Sequence, residues 1–333
     1  MSLFMVDGIT RAMTRTYTLQ WDGQSVTADA DTSLLKSLLR AGKPVSYGCG
    51  SGQCGACRLR LIEGEVDAPA TQTLSPAQRA AGEILSCQAR PRSNVRVQSV
   101  TPTAGDAETY NGTITRVERP TPDLVKLRVR LEGVLDFHPG QYGLLRTHYG
   151  PARPYSLANP PGQGVVEFHI RAVTGGKAGP QIYAQAKRGD RVELTAPMGD
   201  AYAPDLNRPI ALIATGTGMA PMKSVLAYLR QREHRSPVRV LWGNRSPDDC
   251  YDMAAFEALV EGFEDAQFLP VFSAGAGGTR VTDHLRALAP SLLGWTVFCA
   301  GNPQMVRDVA QQLALMGLAP HDFHADPFTH AED

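Results

Sequence analysis

With 333 residues, 43% hydrophobic and 20% charged, the chain has the composition of a folded protein of about two or three domains, which excludes fibrous and generally disordered readings. Lys plus Arg and Asp plus Glu each total 33, so no excess positive field exists to hold a nucleic-acid backbone, and nucleic acid is excluded as a partner. The start carries Asp7 and Arg11 where a secretory signal needs an apolar stretch, and no apolar run reaches the roughly 18 residues of a membrane span; the sequence reads as soluble, cytoplasmic and without a membrane partner.

The first predicted element is a hairpin. TYTLQW (16–21) and QSVTAD (24–29) alternate in polarity on either side of Asp22-Gly23. Thr32 or Ser33 then caps an amphipathic LLKSLLRAG helix that ends at Gly42. Six cysteines are too few for a disulfide scaffold, and four of them fall between positions 49 and 87, which points to a site. Cys49, Cys54 and Cys57 stand as C-x4-C-x2-C, and Cys87 comes after 29 intervening residues, the spacing of a plant-type [2Fe-2S] ferredoxin. Two irons bridged by sulfides need four thiolates, three of them from one tight loop, and Gly48, Gly50, Gly52 and Gly55 permit that path. A four-cysteine zinc site is the rival reading, but it favours paired C-x2-C knuckles, which this chain lacks. Cys250 receives no role, since a lone cysteine is usually a small buried hydrophobe.

After VRVQSV (95–100) a run of small polar residues predicts a linker at 102–109, which separates a ferredoxin domain at 14–101 from the rest of the chain. From 110 to 206, the segments GTITRVERP, LVKLRVRL, QYGLLRT, VVEFHIRAV and DRVELTAP lie between Gly and Pro residues and predict a small antiparallel β-barrel. From 207 to 333 strand and helix patterns alternate: PIALIAT, APMKSVLAYLRQ, VRVLWGN, DMAAFEALVEGF, AQFLPVFS, TDHLRALAP, WTVFCA and NPQMVRDVAQQLALMG. That rhythm predicts an α/β domain with a parallel sheet.

Thr215-Gly216-Thr217-Gly218-Met219 lies between a β-run and a helix opened by Pro221, where free N–H groups suit a pyrophosphate. The turn is weak evidence alone, because Pro221 stands in the third-glycine position of the full fingerprint. ARPYSLANP (152–160) supplies the context. With it, the chain resembles the ferredoxin reductase superfamily, and more narrowly the iron-sulfur flavoprotein reductases of bacterial ring-hydroxylating dioxygenases. That resemblance implies a multidomain protein: a β-grasp-like α+β ferredoxin, an FAD-binding antiparallel barrel and an NAD(P)H-binding α/β domain.

The resemblance also implies roles. Arg153, beside Pro154, neutralises the flavin pyrophosphate, Tyr155 packs on the flavin, and Ser156 hydrogen-bonds near N5. HPGQYGLL (138–145) is similar to the family's P-G-Q strand. His169, Ile170, Arg171, Gly175 and Gly176 resemble its second phosphate loop, in which Gly179 replaces the usual Ser or Thr. FCAGNPQM (298–305) is similar to C-G-x-P-x-M, with Cys299, Ala300, Gly301 and Asn302 lining the nicotinamide; Ala300 takes the cysteine's place and Cys299 falls one residue early, so its thiol is expected on the opposite strand face. In HADPFTH (324–330), Phe328 would cover the isoalloxazine and Asp326 would be the acid near N5.

Nicotinamide releases two electrons as a hydride and oxygenase metals accept them singly; a flavin converts one mode to the other and a low-potential cluster exports single electrons. The implied function is electron transfer from NADH through FAD and [2Fe-2S] to a Rieske-type ferredoxin or terminal oxygenase component, by a monomer. Two other readings share these motifs: a reductase of a di-iron monooxygenase or of deoxysugar biosynthesis, and a redox-sensing module without turnover. The intact nucleotide motifs count against a sensor. Resemblance favours FAD over FMN. It also favours NADH over NADPH, although Arg245 after the second nucleotide-domain strand is placed to accept a 2′-phosphate and Asp248 to cap the next turn.

Overall fold

A computed structural model describes residues 15–43, 45, 52, 57–69, 74, 76–100, 107–199, 201–203 and 205–328. Cys49, Cys54 and their neighbouring glycines Gly48, Gly50 and Gly55 lie outside the described residues. Two compact units divide between Val100 and Thr101.

The first unit opens with the expected hairpin, β1 (Thr16–Trp21) and β2 (Gln24–Asp29), turned at Asp22 and Gly23 through positive φ. Helix α1 (Leu34–Arg40) is capped by Ser33, whose side chain accepts from the Lys36 N–H. Beyond it come β3 (Arg58–Glu63), β4 (Val66–Asp67), α2 (Pro76–Ala80), β5 (Glu83–Leu85), β6 (Arg90–Pro91) and β7 (Val95–Ser99). The main sheet runs β2-β1-β7-β3-β5, with β1 and β7 parallel and the other pairs antiparallel, the β-grasp arrangement expected. Leu19, Trp21, Leu34, Leu38, Leu59 and Val97 are buried between sheet and helix.

The second unit begins with β8 (Glu108–Thr121), which starts two residues inside the span expected as linker. β9 (Leu124–Leu131), β10 (Tyr142–Thr147), β11 (Gly150–Ser156), β12 (Val165–Arg171), helix α3 (Gly179–Gln185) and β13 (Arg191–Met198) complete a six-stranded antiparallel sheet in the order β11-β10-β13-β8-β9-β12. The Ala158 N–H donates to the Glu167 carbonyl at 2.9 Å, joining the segment after β11 to β12 and bringing the two ends of the sheet together. Alternation sets the inside: Leu127, Val129 and Leu131 of β9 enter the core with Val166, Phe168 and Ile170 of β12, while Arg128 and Arg130 point away.

The nucleotide lobe comprises β14 (Ile210–Thr215), α4 (Met219–Gln231), β15 (Val238–Asn244), α5 (Met253–Glu261), β16 (Ala266–Phe272), β17 (Thr296–Gly301), α6 (Pro303–Leu315) and β18 (Phe323–Pro327). All pairs in its sheet, ordered β16-β15-β14-β17-β18, are parallel. β14 and β17 are apolar along their length because both faces are covered. TDHLRALAP, expected as a helix, is only a 3₁₀ stretch over Val281–Ala287. No helix among the described residues is long and apolar enough to cross a membrane.

Candidate active site

In the first unit, the pairing of Arg58 with Leu85 carries Cys57, just before β3, towards Cys87, just after β5. Their sulfurs lie 3.2 Å apart, and both residues are buried. That distance exceeds the roughly 2.05 Å of a disulfide and suits two soft donors that share a metal. The hydrogen bond with Cys87 and burial push the Cys57 thiol well above its ordinary value, and thiols that ligate a metal do so by giving up their protons. Backbone bonds fix the approach: Ser86 N–H donates to Cys57 O, and Leu34 and Leu35 N–H donate to Ala89 O and Ser86 O, which docks α1 on the Cys87 turn.

The second unit holds two loops that interlock. β14 and β17 are adjacent; Gly216–Gly218 follows the end of β14, and Gly301 closes β17 with Asn302 just beyond it. A Cβ on Gly218 would stand 2.2 Å from the Ala300 carbonyl oxygen, and one on Gly301 would stand 2.3 Å from Thr215 Oγ1, so only glycine permits the loops to mesh. Asn302 N–H donates to Thr215 Oγ1 at 2.9 Å, and Trp242 Nε1 donates to Gly216 O at 2.9 Å. Those bonds occupy the inward groups. No side chain caps the start of α4, which leaves N–H groups at the positive end of the helix for an anion.

β11 ends the barrel sheet and carries Arg153, Pro154, Tyr155 and Ser156. Ser156 Oγ donates to Asp326 Oδ2 at 2.7 Å, linking β11 to β18, whose Asp326 is paired with Ala300. Tyr155 packs against the barrel core; burial pushes its hydroxyl up to about 12 despite the nearby Arg153 charge. Phe328 N–H donates to Gly301 O at 2.7 Å, and its ring packs against the cluster that contains Ala300 and Phe298. The flavin motif, the tail and the nucleotide loops therefore meet.

Residues 19–92 match the family of 2Fe-2S iron-sulfur cluster binding domains, 111–202 that of oxidoreductase FAD-binding domains, and 212–311 that of oxidoreductase NAD-binding domains. The ferredoxin–NAD(P)(+) reductase component of the naphthalene 1,2-dioxygenase/salicylate 5-hydroxylase systems of Ralstonia sp is 31% identical over 310 residues, covering 90% of this chain and 94% of its own. The chain belongs to the ferredoxin–NAD(P)(+) reductase family. The corresponding component of the naphthalene 1,2-dioxygenase system of Pseudomonas putida is 31% identical over 93% of the reductase and 97% of that protein. Among solved structures, the cytochrome P450 reductase GcoB of Amycolatopsis superposes with a TM-score of 0.70 at 33% identity, covering 94% of the reductase and 99% of that chain.

The reductase is thus an oxidoreductase with [2Fe-2S], FAD and nicotinamide-nucleotide domains. The structure places the remaining expected residues as follows. Ile170 and Met219 are fully buried in the barrel and lobe cores. Cys299 is also fully buried, its sulfur 3.6 Å from Met305 Sδ, and burial raises its thiol far above the ordinary range. Cys299 and Val297 pack on the α6 side of β17, whereas Phe298 and Ala300 pack on the other, the strand alternation that points the Cys299 thiol away. The His169 ring turns to Glu167 and Tyr251, and Arg171 is ion-paired with Asp123. Near the Gly175-Gly176 turn, a Cβ on Gly179 would lie 2.6 Å from the Arg171 carbonyl oxygen, so the loop as folded leaves no room for the family's Ser or Thr. Arg245 is exposed and 3.4 Å from Asp249, and it is Asp249, not Asp248, that binds Ser246 through its N–H and Oγ, both at 2.9 Å.

Glu167, Lys223 and Tyr251 carry no contiguous sequence signal for the buried network they form with His169. Burial alone would raise the Glu167 carboxyl, but the His169 hydrogen bond and the Lys223 charge outweigh it and hold it well below the usual carboxylate range. Burial lowers the His169 imidazole, and Glu167 offsets this only in part. Both groups therefore bind fewer protons folded than unfolded, and stability is lost as the pH is lowered, from His169 below its ordinary 6.5 and from Glu167 below 4.5. The thermal midpoint should drop by a few degrees between pH 7 and pH 5.5. His169→Gln should flatten that slope; equal slopes would contradict the assignment.

Proposed function

We propose that the reductase carries electrons from NADH through FAD and the [2Fe-2S] cluster to a Rieske-type ferredoxin or to the terminal oxygenase of an aromatic-ring-hydroxylating system. The similarity to two naphthalene dioxygenase reductase components over at least 90% of both chains carries this reading. When bound, FAD supplies the exchange of a hydride for single electrons, and the cluster supplies a one-electron outlet.

The protein's part is to bind and orient. Arg153 provides counter-charge for the flavin pyrophosphate, Tyr155 a packing surface, and Phe328 a cover for the ring. Ser156 Oγ is fixed by Asp326, so an acid stands one hydrogen bond behind the hydroxyl, placed to hold a proton there. The Gly216–Gly218 and Gly301-Asn302 loops seat the nucleotide. The chemistry requires no covalent nucleophile. Cys57 and Cys87 hold the cluster together with Cys49 and Cys54.

Asp249 partly neutralises Arg245 and opposes a 2′-phosphate, which supports NADH over NADPH. The expected kcat/KM is higher for NADH, and Arg245→Ala should change the ratio little. A tenfold preference for NADPH that is lost in Arg245→Ala would overturn this. The structural similarity to a P450 reductase supports a second acceptor class. NADH-driven reduction of a purified Rieske ferredoxin and of a P450, compared side by side, decides between them; failure with the Rieske protein alone would reject the dioxygenase reading.

A further inference from the structure

β12 presents Glu167, His169 and Arg171 on one face, because alternate residues Val166, Phe168 and Ile170 enter the barrel core. A row of polar residues at period two ordinarily marks a solvent face. Here Glu167 and His169 are buried, at 2% and 5% exposure, because the nucleotide lobe lies over them.

The bonds beneath that cover form a directional chain. Glu167 Oε1 accepts from Lys223 Nζ and stands 2.8 Å from His169 Nε2; Glu167 Oε2 accepts from Arg128 Nε at 3.0 Å. An ionised carboxylate only accepts, so His169 Nε2 carries the proton and donates, which leaves Nδ1 as an acceptor. Tyr251 OH, 3.0 Å from Nδ1, is then the donor. Two further bonds cross between the barrel and the nucleotide lobe: Ser224 Oγ donates to Asn159 O at 2.7 Å, and Lys126 Nζ pairs with Asp252.

The position of this chain gives it a consequence beyond cohesion. Lys223 and Ser224 lie one turn into α4, directly after the Gly216–Gly218 loop. Glu167 and His169 lie on the strand that runs into the Arg171–Gly176 loop, and Asn159 comes three residues after Ser156. Buried ion pairs gain little over apolar packing, but here the directional bonds join the strand and the helix in one register. We propose that Tyr251, His169, Glu167 and Lys223 form a clamp that sets the nucleotide loop's position relative to the flavin strand, and that they are positioning residues for hydride transfer. The inference rests on the reduction of FAD by NADH at the site just described.

Tyr251→Phe removes one hydroxyl and keeps the ring, which sits edge-on to Trp242 at 5.6 Å and Phe256 at 5.7 Å. Lys223→Met removes the charge, and Lys223→Arg restores it. The test mixes the anaerobic FAD-loaded protein with NADH, or with NADH deuterated at the transferred position, and follows flavin bleaching. A misplaced donor lowers the limiting rate, so Tyr251→Phe and Lys223→Met should each slow it about tenfold. Nucleotide affinity and reduction by dithionite should stay nearly unchanged, the isotope effect should be fully expressed, and Lys223→Arg should recover most of the rate. A purely cohesive role would lower the thermal midpoint and leave the limiting rate intact. Parental limiting rates in Tyr251→Phe and in whichever Lys223 variants retain FAD, or a loss confined to nucleotide affinity, would overturn the proposal. Bleaching of the unaltered protein by NADH reports separately on the underlying reaction.

Discussion

Cys87→Ser is expected to abolish electron delivery to cytochrome c or a Rieske partner while sparing NADH-dependent reduction of ferricyanide. A residue that merely orients a metal ligand is typically worth about 10–100-fold, and loss of a ligand costs more. Cys87 and Cys57 are buried with their sulfurs 3.2 Å apart, so a serine at position 87 replaces a soft thiolate donor with a hard, poorly ligating hydroxyl. The flavin and nucleotide loops belong to the other unit, and ferricyanide draws electrons from the flavin directly. Iron content, the visible charge-transfer bands and the two activities measured on one preparation check the prediction. Equal loss of both activities would mean that the cluster does not lie downstream of the flavin.

Gly218→Ala should have the largest effect in the second unit. The new methyl would lie 2.2 Å from the Ala300 oxygen and 2.5 Å from its carbon, and both are backbone atoms of a buried central strand that cannot yield cheaply. Overpacking of this kind costs about 1–3 kcal/mol in stability. Because the displaced loop is the one that seats the nucleotide, flavin bleaching by NADH should be lost while dithionite bleaches the flavin normally. Gly216→Ala is the control: φ there is +53° with nothing within 4 Å of the added carbon, so only backbone strain of about 1–2 kcal/mol is introduced. Similar NADH kinetics in Gly218→Ala and the parent would show that the two loops need not mesh.

Local rules made much of the architecture legible. Asp22-Gly23 has the backbone preference of a tight hairpin turn, Ser33 caps α1, and the alternation of LVKLRVRL is the inside and outside of β9. The elements that escaped were those whose cause lies far away in the chain. β11 contains Pro151 and Pro154, which argue against a strand until its place at the sheet edge is known. β18 is recognised only by its pairing with β17, and that pairing brings Asp326 within reach of Ser156.

The same distinction holds at the site. Cysteine spacing, the R-P-Y-S motif and the glycine turn are contiguous signals, legible without any fold. The interior orientation of Ile170 and Met219 comes from packing that a motif does not encode. The burial of Glu167 and His169 is not legible locally, because their partners, Lys223 and Tyr251, come from a lobe later in the chain.

The order of electron transfers is the central claim, and rapid mixing tests it most directly. Anaerobic holoprotein is mixed with NADH while flavin absorbance is followed, and samples are frozen at intervals for electron paramagnetic resonance. The flavin should bleach first and a reduced [2Fe-2S] signal should grow afterwards, with Cys87→Ser retaining the first phase and lacking the second. A cluster signal that precedes flavin bleaching, or that never appears in the unaltered protein, would contradict it.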